Sequence, residues 1–451
     1  MNKDLTVGNT GKVLLLFCLP LFGSMFFQQL YNVADSLVAG KFIGESALAA
    51  VGNSYEITLV FLSFGLGLNI GCSVVVSRFF GAGDLVGVKT AVYTAFVMTA
   101  VTVVLLMTLG LVFCKDILRL IHTPDEVLPG SALYLYIYVG GLPFLFFYNV
   151  STGVFSALGD SLTPFFFLAA SSLSNIATDV LFVLLFRLGV AGVAWATFLC
   201  QGISCLLAIL ALLRRLKKMN VGKVKPFSFA TMKKITAIAV PSILQQAFIS
   251  VGNVIIQGVV NAFGKSVIAG YAGATKLNNF VVSSLFTVGT GMSDFTSQNL
   301  GAGKPGRIKK GFGAGLLLML TIAAISGIVY AFAGKYLLQL FLDGNGTAIT
   351  TGERFLHLVA PTYALIAVKI TSDGVLRGAG KMGLFLLSTF SDLLLRVLGA
   401  LLLSQVLHTD GIWLSWPVGW LIGAILSAFF ARSTFHSFRK KKADPAPQDP
   451  Q

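Results

Sequence analysis

Five polar side chains, Ser24, Gln28, Gln29, Asn32 and Asp35, interrupt an apolar run near the start of the chain, PLFGSMFFQQLYNVAD at 20–35. Helical spacing sets Ser24, Gln28, Asn32 and Asp35 at i, i+4, i+8 and i+11, which is one face. The stripe ends in a carboxylate. A charged side chain at the centre of a bilayer costs about 2.5–3.5 kcal/mol on insertion scales, so such residues turn toward a bundle interior or a wet cavity. The alternative is a solvated cap at a helix end. Farther along, Asn175 and Asp179 form an i, i+4 pair on one face. If Asp35 joins them, two carboxyls converge, and in low dielectric they cannot both ionise cheaply. Such a pair can hold a proton or, with Asn and hydroxyl oxygens, ligate a hard cation such as Na+. Either ion, moving down its gradient, can drive another solute outward. The competing reading is two unrelated polar helix contacts.

The elements that position these residues follow from composition. Of 451 residues, 55% are hydrophobic and 11% charged, against about 25% charged in soluble domains. The chain therefore reads as an all-α polytopic membrane protein. Twelve apolar segments approach the roughly 20 residues that a span needs. The first six are Val13–Val38, Leu48–Val76, Val88–Cys114, Ala132–Thr152, Pro164–Phe186 and Val190–Leu213. The second six are Ile235–Val260, Val267–Phe295, Gly311–Phe332, Leu356–Leu376, Leu384–Val406 and Trp413–Arg432. Pro20, inside the first, is a candidate kink because it removes a backbone donor and crowds the preceding turn. The first segment, after Lys3 and Lys12, is too long for a signal-peptide core and lacks an A-x-A site, so it reads as a retained helix. The five cysteines (Cys18, Cys72, Cys114, Cys200, Cys205) lie in or beside apolar runs without a C-x-x-C pair and read as packing residues.

Charge sets the expected topology. Termini and even-numbered loops carry 23 of the 33 Lys and Arg, and the opposite loops, which include Lys41, carry 7. The positive-inside rule then puts both termini and the basic central loop in the cytoplasm. Arg377 counts among the cytoplasmic loop charges in this reading. The same bias accounts for the net charge of +15 without a nucleic-acid partner. The expected organisation is a six-helix lobe over 1–215, a basic inter-lobe loop over 216–234 and a second six-helix lobe over 235–435. A disordered basic and Pro-rich tail, ending KKKADPAPQDPQ, covers 436–451.

The halves repeat with an offset of about 220 residues. Pro20 matches Pro241, Asn32 matches Asn253, and Gly44-x-Ser46 matches Gly264-x-Ser266. Gly81-Ala82-Gly83 matches Gly301-Ala302-Gly303, Gly153 matches Gly374, and Gly159 matches Gly380. The G-A-G triplets lack the Lys-Ser/Thr of a phosphate-binding loop and read as helix-ending turns. Six spans per half give both halves one orientation, as in secondary transporters. The repeat fails where the acids sit, since Asp35 falls opposite Ile256 and Asp179 opposite Ala400. An acid kept in one half alone points to a coupling site in one lobe.

These residues resemble the multidrug and toxic compound extrusion (MATE) transporters, over nearly the whole chain. The resemblance rests on the twelve spans in two pseudo-symmetric six-helix bundles and on PLFGSMFFQQLYNVADSLVAGKFIGESALAAVG. It rests also on the paired SRFFGAGD and SQNLGAGK loops and on GVLRGAGK after the tenth span. The chain looks most like the DinF-type branch, whose acid in the first helix and Asn-x-x-x-Asp in the fifth are matched by Asp35, Asn175 and Asp179. Helper polar groups in the fourth and sixth helices fall on Asn149 and Thr197. The resemblance implies that these five surround a coupling proton or Na+, with Asp35, Asp179, Asn175 and Thr197 as the Na+ ligands. The NorM-type branch adds acids in the seventh and tenth helices. Here the seventh has only Gln245 and Gln246, and Asp373 in the tenth reads as an end cap.

The expected function is efflux of amphipathic, cationic organic compounds in exchange for H+ or Na+ by a monomer in the inner membrane, with no other cofactor. Gln28, Asn32, Tyr31 and Tyr148 are the substrate-cavity candidates. The alternative is a flippase for lipid-linked precursors, for which Lys276, Lys369 and Arg396 would supply cationic groups. An enzyme is disfavoured: there is no aspartate-rich prenyl-diphosphate motif and no G-x-S-x-G, and His122, His357, His408 and His436 are not metal-spaced. Local pairs are expected for Arg396 with Asp392 and for Lys369 with Asp373, and Lys276 is expected to snorkel from a span end.

Overall fold

The structure is a computed structural model that describes residues 4–38, 42–43, 45–121, 123–340, 342 and 346–443. Lys3, Lys41, Gly44, His122 and 444–451 lie outside the described residues. Every element described is helical, as a bilayer requires of backbone that must satisfy its own hydrogen bonds. The first half contains α1 (Thr10–Val38), α2 (Glu45–Gly81), α3 (Leu85–Val112), a short α4 (Cys114–Leu120), α5 (Leu128–Gly140), α6 (Leu142–Ala157), α7 (Leu162–Val180) and α8 (Val190–Lys218). The second contains α9 (Phe229–Asn261), α10 (Lys265–Gly301), α11 (Pro305–Leu338), α12 (Thr347–Val359), α13 (Tyr363–Gly378) and α14 (Met382–Ala443).

Among the described residues nine helices are long and apolar enough to cross a membrane, or ten if the bent pair α5–α6 forms one span. That pair turns by 48°, where Gly141 and Pro143 interrupt the ladder. Two further differences from the twelve expected segments have plain causes. The eighth, α10, is too polar to qualify, because it carries Lys276, Asn278 and Asn279 in its first half and buries Ser293, Asp294, Thr296, Ser297, Gln298 and Asn299 in its last turns. The eleventh and twelfth are fused in α14, whose helical path breaks at His408 (φ 53°, ψ −132°).

The chain divides into two compact units. One is built on Leu19–Ile243, and the other on Leu5–Cys18 together with Leu244–Gln451. The divisions therefore fall inside α1 and α9, beside Pro20 and Pro241, and not in the central loop. In the first unit, the start of α9 lies so close to α2 that a Cβ on Gly71 would meet the Ile235 carbonyl oxygen at 2.8 Å. In the second, the Leu5 N–H donates to Gln298 Oε1 (3.2 Å), and the Leu5 carbonyl accepts from Asn299 Nδ2 (3.2 Å). Lys304 Nζ donates to the Thr6 carbonyl (3.1 Å) and Arg307 Nη1 to the Gly8 carbonyl (2.8 Å).

The central loop is shorter than expected. α8 runs through Lys218 and α9 begins at Phe229, so only 219–228 are non-helical, and Lys233 and Lys234 ride on the first turns of α9. The tail is also shorter, because α14 carries the basic stretch as helix to Ala443. α1 continues through Pro20 as one helix, with Ser24 Oγ donating to the Pro20 carbonyl at 3.0 Å.

The three G-A-G turns and the Ala157-Leu158-Gly159 turn close four helices in one way. Gly83, Gly159, Gly303 and Gly380 have φ of +73°, +74°, +66° and +74°, a region that glycine enters without a Cβ clash. The next residue in each case donates five residues back: Asp84 to Phe79, Asp160 to Phe155, Lys304 to Asn299 and Lys381 to Leu376, at 2.8–3.0 Å. This is the Schellman closure of a helix end. In the first half the acid then caps the next helix, Asp84 Oδ1 accepting from the Gly87 N–H (2.7 Å) and Asp160 Oδ1 from the Thr163 N–H (3.1 Å). The lysines of the second half cannot do this, since an ammonium offers no acceptor.

Candidate functional site

The first unit gathers the acids. Asp35 lies in the last turns of α1, Asn175 and Asp179 share a face of α7, and Thr197 lies in the third turn of α8. Asp35 is 6% exposed, Asn175 2% and Asp179 0%, which rules out the solvated cap for Asp35. The hydrogen-bonding environment fixes the Asn175 amide with its nitrogen toward α1. In that orientation Nδ2 donates to Asp35 Oδ1 at 3.0 Å, and Oδ1 accepts from the Thr197 N–H at 3.2 Å. The Asp35 carboxyl is also within hydrogen-bonding reach of Asp179 and of the Tyr31 and Thr197 hydroxyls. Asp179 Oδ1 is buried and makes no hydrogen bond among the described residues. Two carboxyls, an amide and two hydroxyls thus meet where three helices pack. A buried carboxylate oxygen with no donor requires a proton or a cation nearby.

A local irregularity sits beside this cluster. α7 passes from α to a π turn over Leu181–Leu185, two residues after Asp179, and the Phe186 N–H donates to the Leu181 carbonyl (3.2 Å). π turns cost regular hydrogen bonding and recur at functional positions. Nothing in the apolar run LFVLL marks it in the sequence.

The remaining candidates divide. Asn149 on α6 donates from Nδ2 to the Leu145 carbonyl of its own helix (2.8 Å), and its backbone carbonyl accepts from Asn69 (2.7 Å). These partners are on α6 and α2, outside the Asp35 cluster. Tyr31 belongs with the acids, being one turn before Asp35 on the same face; that i, i+4 spacing was the available signal. Tyr148 is 7% exposed and packs with Cys205 and Ala208 among apolar neighbours, as a core residue does. Gln28 is exposed, and half-buried Asn32 donates to Gln29 Oε1 at 3.4 Å. Ile256 and Ala400, the repeat counterparts of the two acids, are both fully buried apolar residues in the second unit.

The second unit holds a different polar cluster. Lys369 Nζ lies 2.8 Å from Asp373 Oδ2 and 3.8 Å from Asp392 Oδ2, and Ser427 Oγ donates to Asp373 Oδ1 at 2.6 Å. Asp373 is thus a buried member of a network five residues inside α13, and the end-cap reading is incorrect. Arg396 makes no ion pair within 4 Å with Asp392 but stacks over Trp416, 4.4 Å from the ring centroid. Arg377, counted above as a loop charge, is 1% exposed and lies over Phe286 (5.1 Å) and Phe385 (5.5 Å). The cause is that α13 continues to Gly378, which keeps Arg377 in its last buried turn. Its spacing of four from Asp373 was the signal for its place in the cluster. Lys276 is exposed in the interior of α10 and not at its end.

Comparison with known proteins matches this architecture. The MatE family model matches residues 20–181 and again 241–402, so the two matches repeat the internal offset. The chain is 30% identical over 436 residues to the probable multidrug resistance protein YpnP of Bacillus subtilis, covering 95% of this chain and 96% of that one. It is 26% identical over 423 residues to the probable multidrug resistance protein YoeA of the same organism, covering 91% of each. A MOP superfamily transporter from Pyrococcus furiosus has the same fold, with TM-score 0.91, 20% identity and coverage of 97% of this chain and 98% of that one.

Proposed function

Because the chain belongs to the MatE family, a family of membrane transporters, we propose that it is a secondary active multidrug efflux antiporter that exchanges amphipathic cationic compounds for H+ or Na+. The observation that carries this reading is the buried meeting of Asp35, Asn175, Asp179, Thr197 and Tyr31 in the first unit. The donor set suits either ion. A proton bridges the paired carboxyls, or Na+ takes carboxylate, amide and hydroxyl oxygens, with Asp179 Oδ1 available as a ligand. Asp35 and Asp179 fall opposite Ile256 and Ala400 in the repeat, and the buried Asp373 and Asp392 of the second unit stand against Lys369, which supports a single coupling site of the DinF type. Binding there neutralises charge at the end of α1 and alters the balance between α1 and α7. Alternating access then follows from rearrangement of α1 near Pro20. The basic bias of the even loops supports cytoplasmic termini in the inner membrane, and a monomer suffices for the mechanism.

A flippase for lipid-linked diphosphates is less well supported. Its cationic groups would be Lys276, Lys369 and Arg396, yet Lys276 is exposed and Lys369 is occupied by two acids.

Ethidium efflux from proteoliposomes, with pH and Na+ gradients imposed separately, tests the proposal. One gradient drives efflux by the wild type, and Asp35→Asn and Asp179→Asn abolish it. Wild-type efflux in both variants would sink the coupling assignment.

A further inference from the structure

The second unit contains a cavity of about 110 Å³ whose wall carries Lys369, Arg377, Arg396, Asp373 and Asp392 beside Trp416. Three bases and two acids leave this wall one positive charge in excess. Asp373 is provided for: Lys369 lies 2.8 Å from it and Ser427 donates to it, whereas Asp392 stands 3.8 Å from Lys369 and its Oδ1 is buried without a hydrogen bond among the described residues. The guanidiniums are not provided for. Arg377 Nε and Nη1 and Arg396 Nε are buried and make no hydrogen bond among the described residues. Arg377 is 1% exposed and Arg396 5%. Their Cζ atoms lie over Phe286 and Phe385 (Arg377) and over Trp416 (Arg396). Aromatic faces attract a cation but offer no in-plane acceptor to its N–H groups. A guanidinium presents a planar fork that matches a carboxylate. Buried donors without partners are rare in native proteins and require an explanation. Trp416 Nε1 is a further buried donor without a partner.

We propose that this cavity is a binding site for a planar aromatic monoanion. Its carboxylate accepts from Arg396 and Arg377, and its ring lies against the aromatic wall at Trp416. The single excess charge matches a monocarboxylate, and a diphosphate would overcharge the site in the presence of Asp373 and Asp392. This site is distinct in residues and in polarity from the acid cluster around Asp35. It therefore gives the protein a second ligand class beside the cations of the proposed antiport. The site does not rest on that reading, because it is assayed by binding at rest.

The test uses radiolabelled benzoate, with benzamide as its neutral isostere, in a scintillation proximity assay on purified full-length protein in chloride-free buffer. Saturable benzoate binding with at least tenfold weaker benzamide binding is expected. Sulfate should compete poorly, because it lacks the ring. Arg396→Gln should weaken benzoate at least tenfold and leave benzamide unchanged, and Trp416→Leu should weaken both. Equal binding of benzoate and benzamide by the wild type, or sulfate displacing benzoate at equal concentration, overturns the proposal. So does unchanged benzoate affinity in Arg396→Gln. If that variant does not fold, the wild-type comparison of benzoate, benzamide and sulfate decides alone. Ethidium efflux by the same preparations reports the antiport separately.

Discussion

Arg187 and His408 are the two non-glycine residues with positive φ among the described residues, both at 53°, and they stand 221 positions apart in the repeat. Each follows a helical span and turns the chain into the next one. At His408 the ψ of −132° places the residue near the mirror image of the β region, which glycine enters far more readily than a residue with a Cβ. The backbone of the repeat is thus retained at a position where neither half uses glycine.

His408→Gly should therefore stabilise the protein by roughly 1 kcal/mol, since strain of this kind costs about 1–3 kcal/mol and glycine's greater freedom when unfolded offsets part of the gain. The melting temperature of detergent-solubilised protein checks this. A lower melting temperature in His408→Gly would show that the side chain contributes more than the strain costs.

Close helix packing in the second unit depends on glycine. A Cβ on Gly378 would collide with the Ser293 carbonyl oxygen and lie 2.7 Å from Thr296 Cβ. Gly378→Ala should push α13 from α10 and cost about 1–3 kcal/mol. Gly383, with nothing within 4 Å of its Cβ position, is the control. Comparable thermal shifts for the two alanine variants would refute the packing account.

Lys369 holds two buried acids at once. Lys369→Met should destabilise by about 3–5 kcal/mol, the usual cost of stranding a buried charge. Asp373→Asn in the same chain should recover part of that loss, because the orphaned charge is then halved. A double-mutant cycle on thermal unfolding measures the coupling, and strictly additive effects would remove the pair from the network.

Asn175 is the link between Asp35 and Thr197. Asn175→Leu keeps the volume but loses both hydrogen bonds, and ethidium efflux should fall on the order of tenfold, the scale seen when a ligand's supporting contact is removed. Thr197→Ser retains the hydroxyl and should stay close to wild type. Equal loss in the two variants would indicate that side-chain shape matters there more than the oxygen.

Particular residues show what was legible from the sequence alone. The Asp35 stripe and the Asn175/Asp179 pair could be read because helical spacing is fixed and acids are conspicuous in apolar runs. The G-A-G turns could be read because glycine past a helix end has a strong conformational reason. Tyr31 was placed with the substrate, since its type suits either role and only the approach of α8 decides between them. Arg377 was read as a loop charge, because a basic residue before Gly-Ala-Gly looks cytoplasmic until the full length of α13 is known. The π turn after Asp179 left no trace, as LFVLL is equally compatible with an ordinary helix. Hydropathy alone misses α10, because Asn278 and the polar residues of its last turns are buried against protein, where hydropathy is a poor guide.

The latch at the start of the chain has a consequence in time. Leu5 bonds to Gln298 across 293 positions. At about 5–20 residues per second of synthesis, Leu5–Cys18 leave the ribosome roughly 15–60 s before the residues that receive them. For that interval the beginning of α1 waits for its partners, while α1 beyond Leu19 meets α7 and α8, which are made well before Gln298. The first helix to be made is therefore finished last, and completion of the second unit waits on a segment translated before either unit existed.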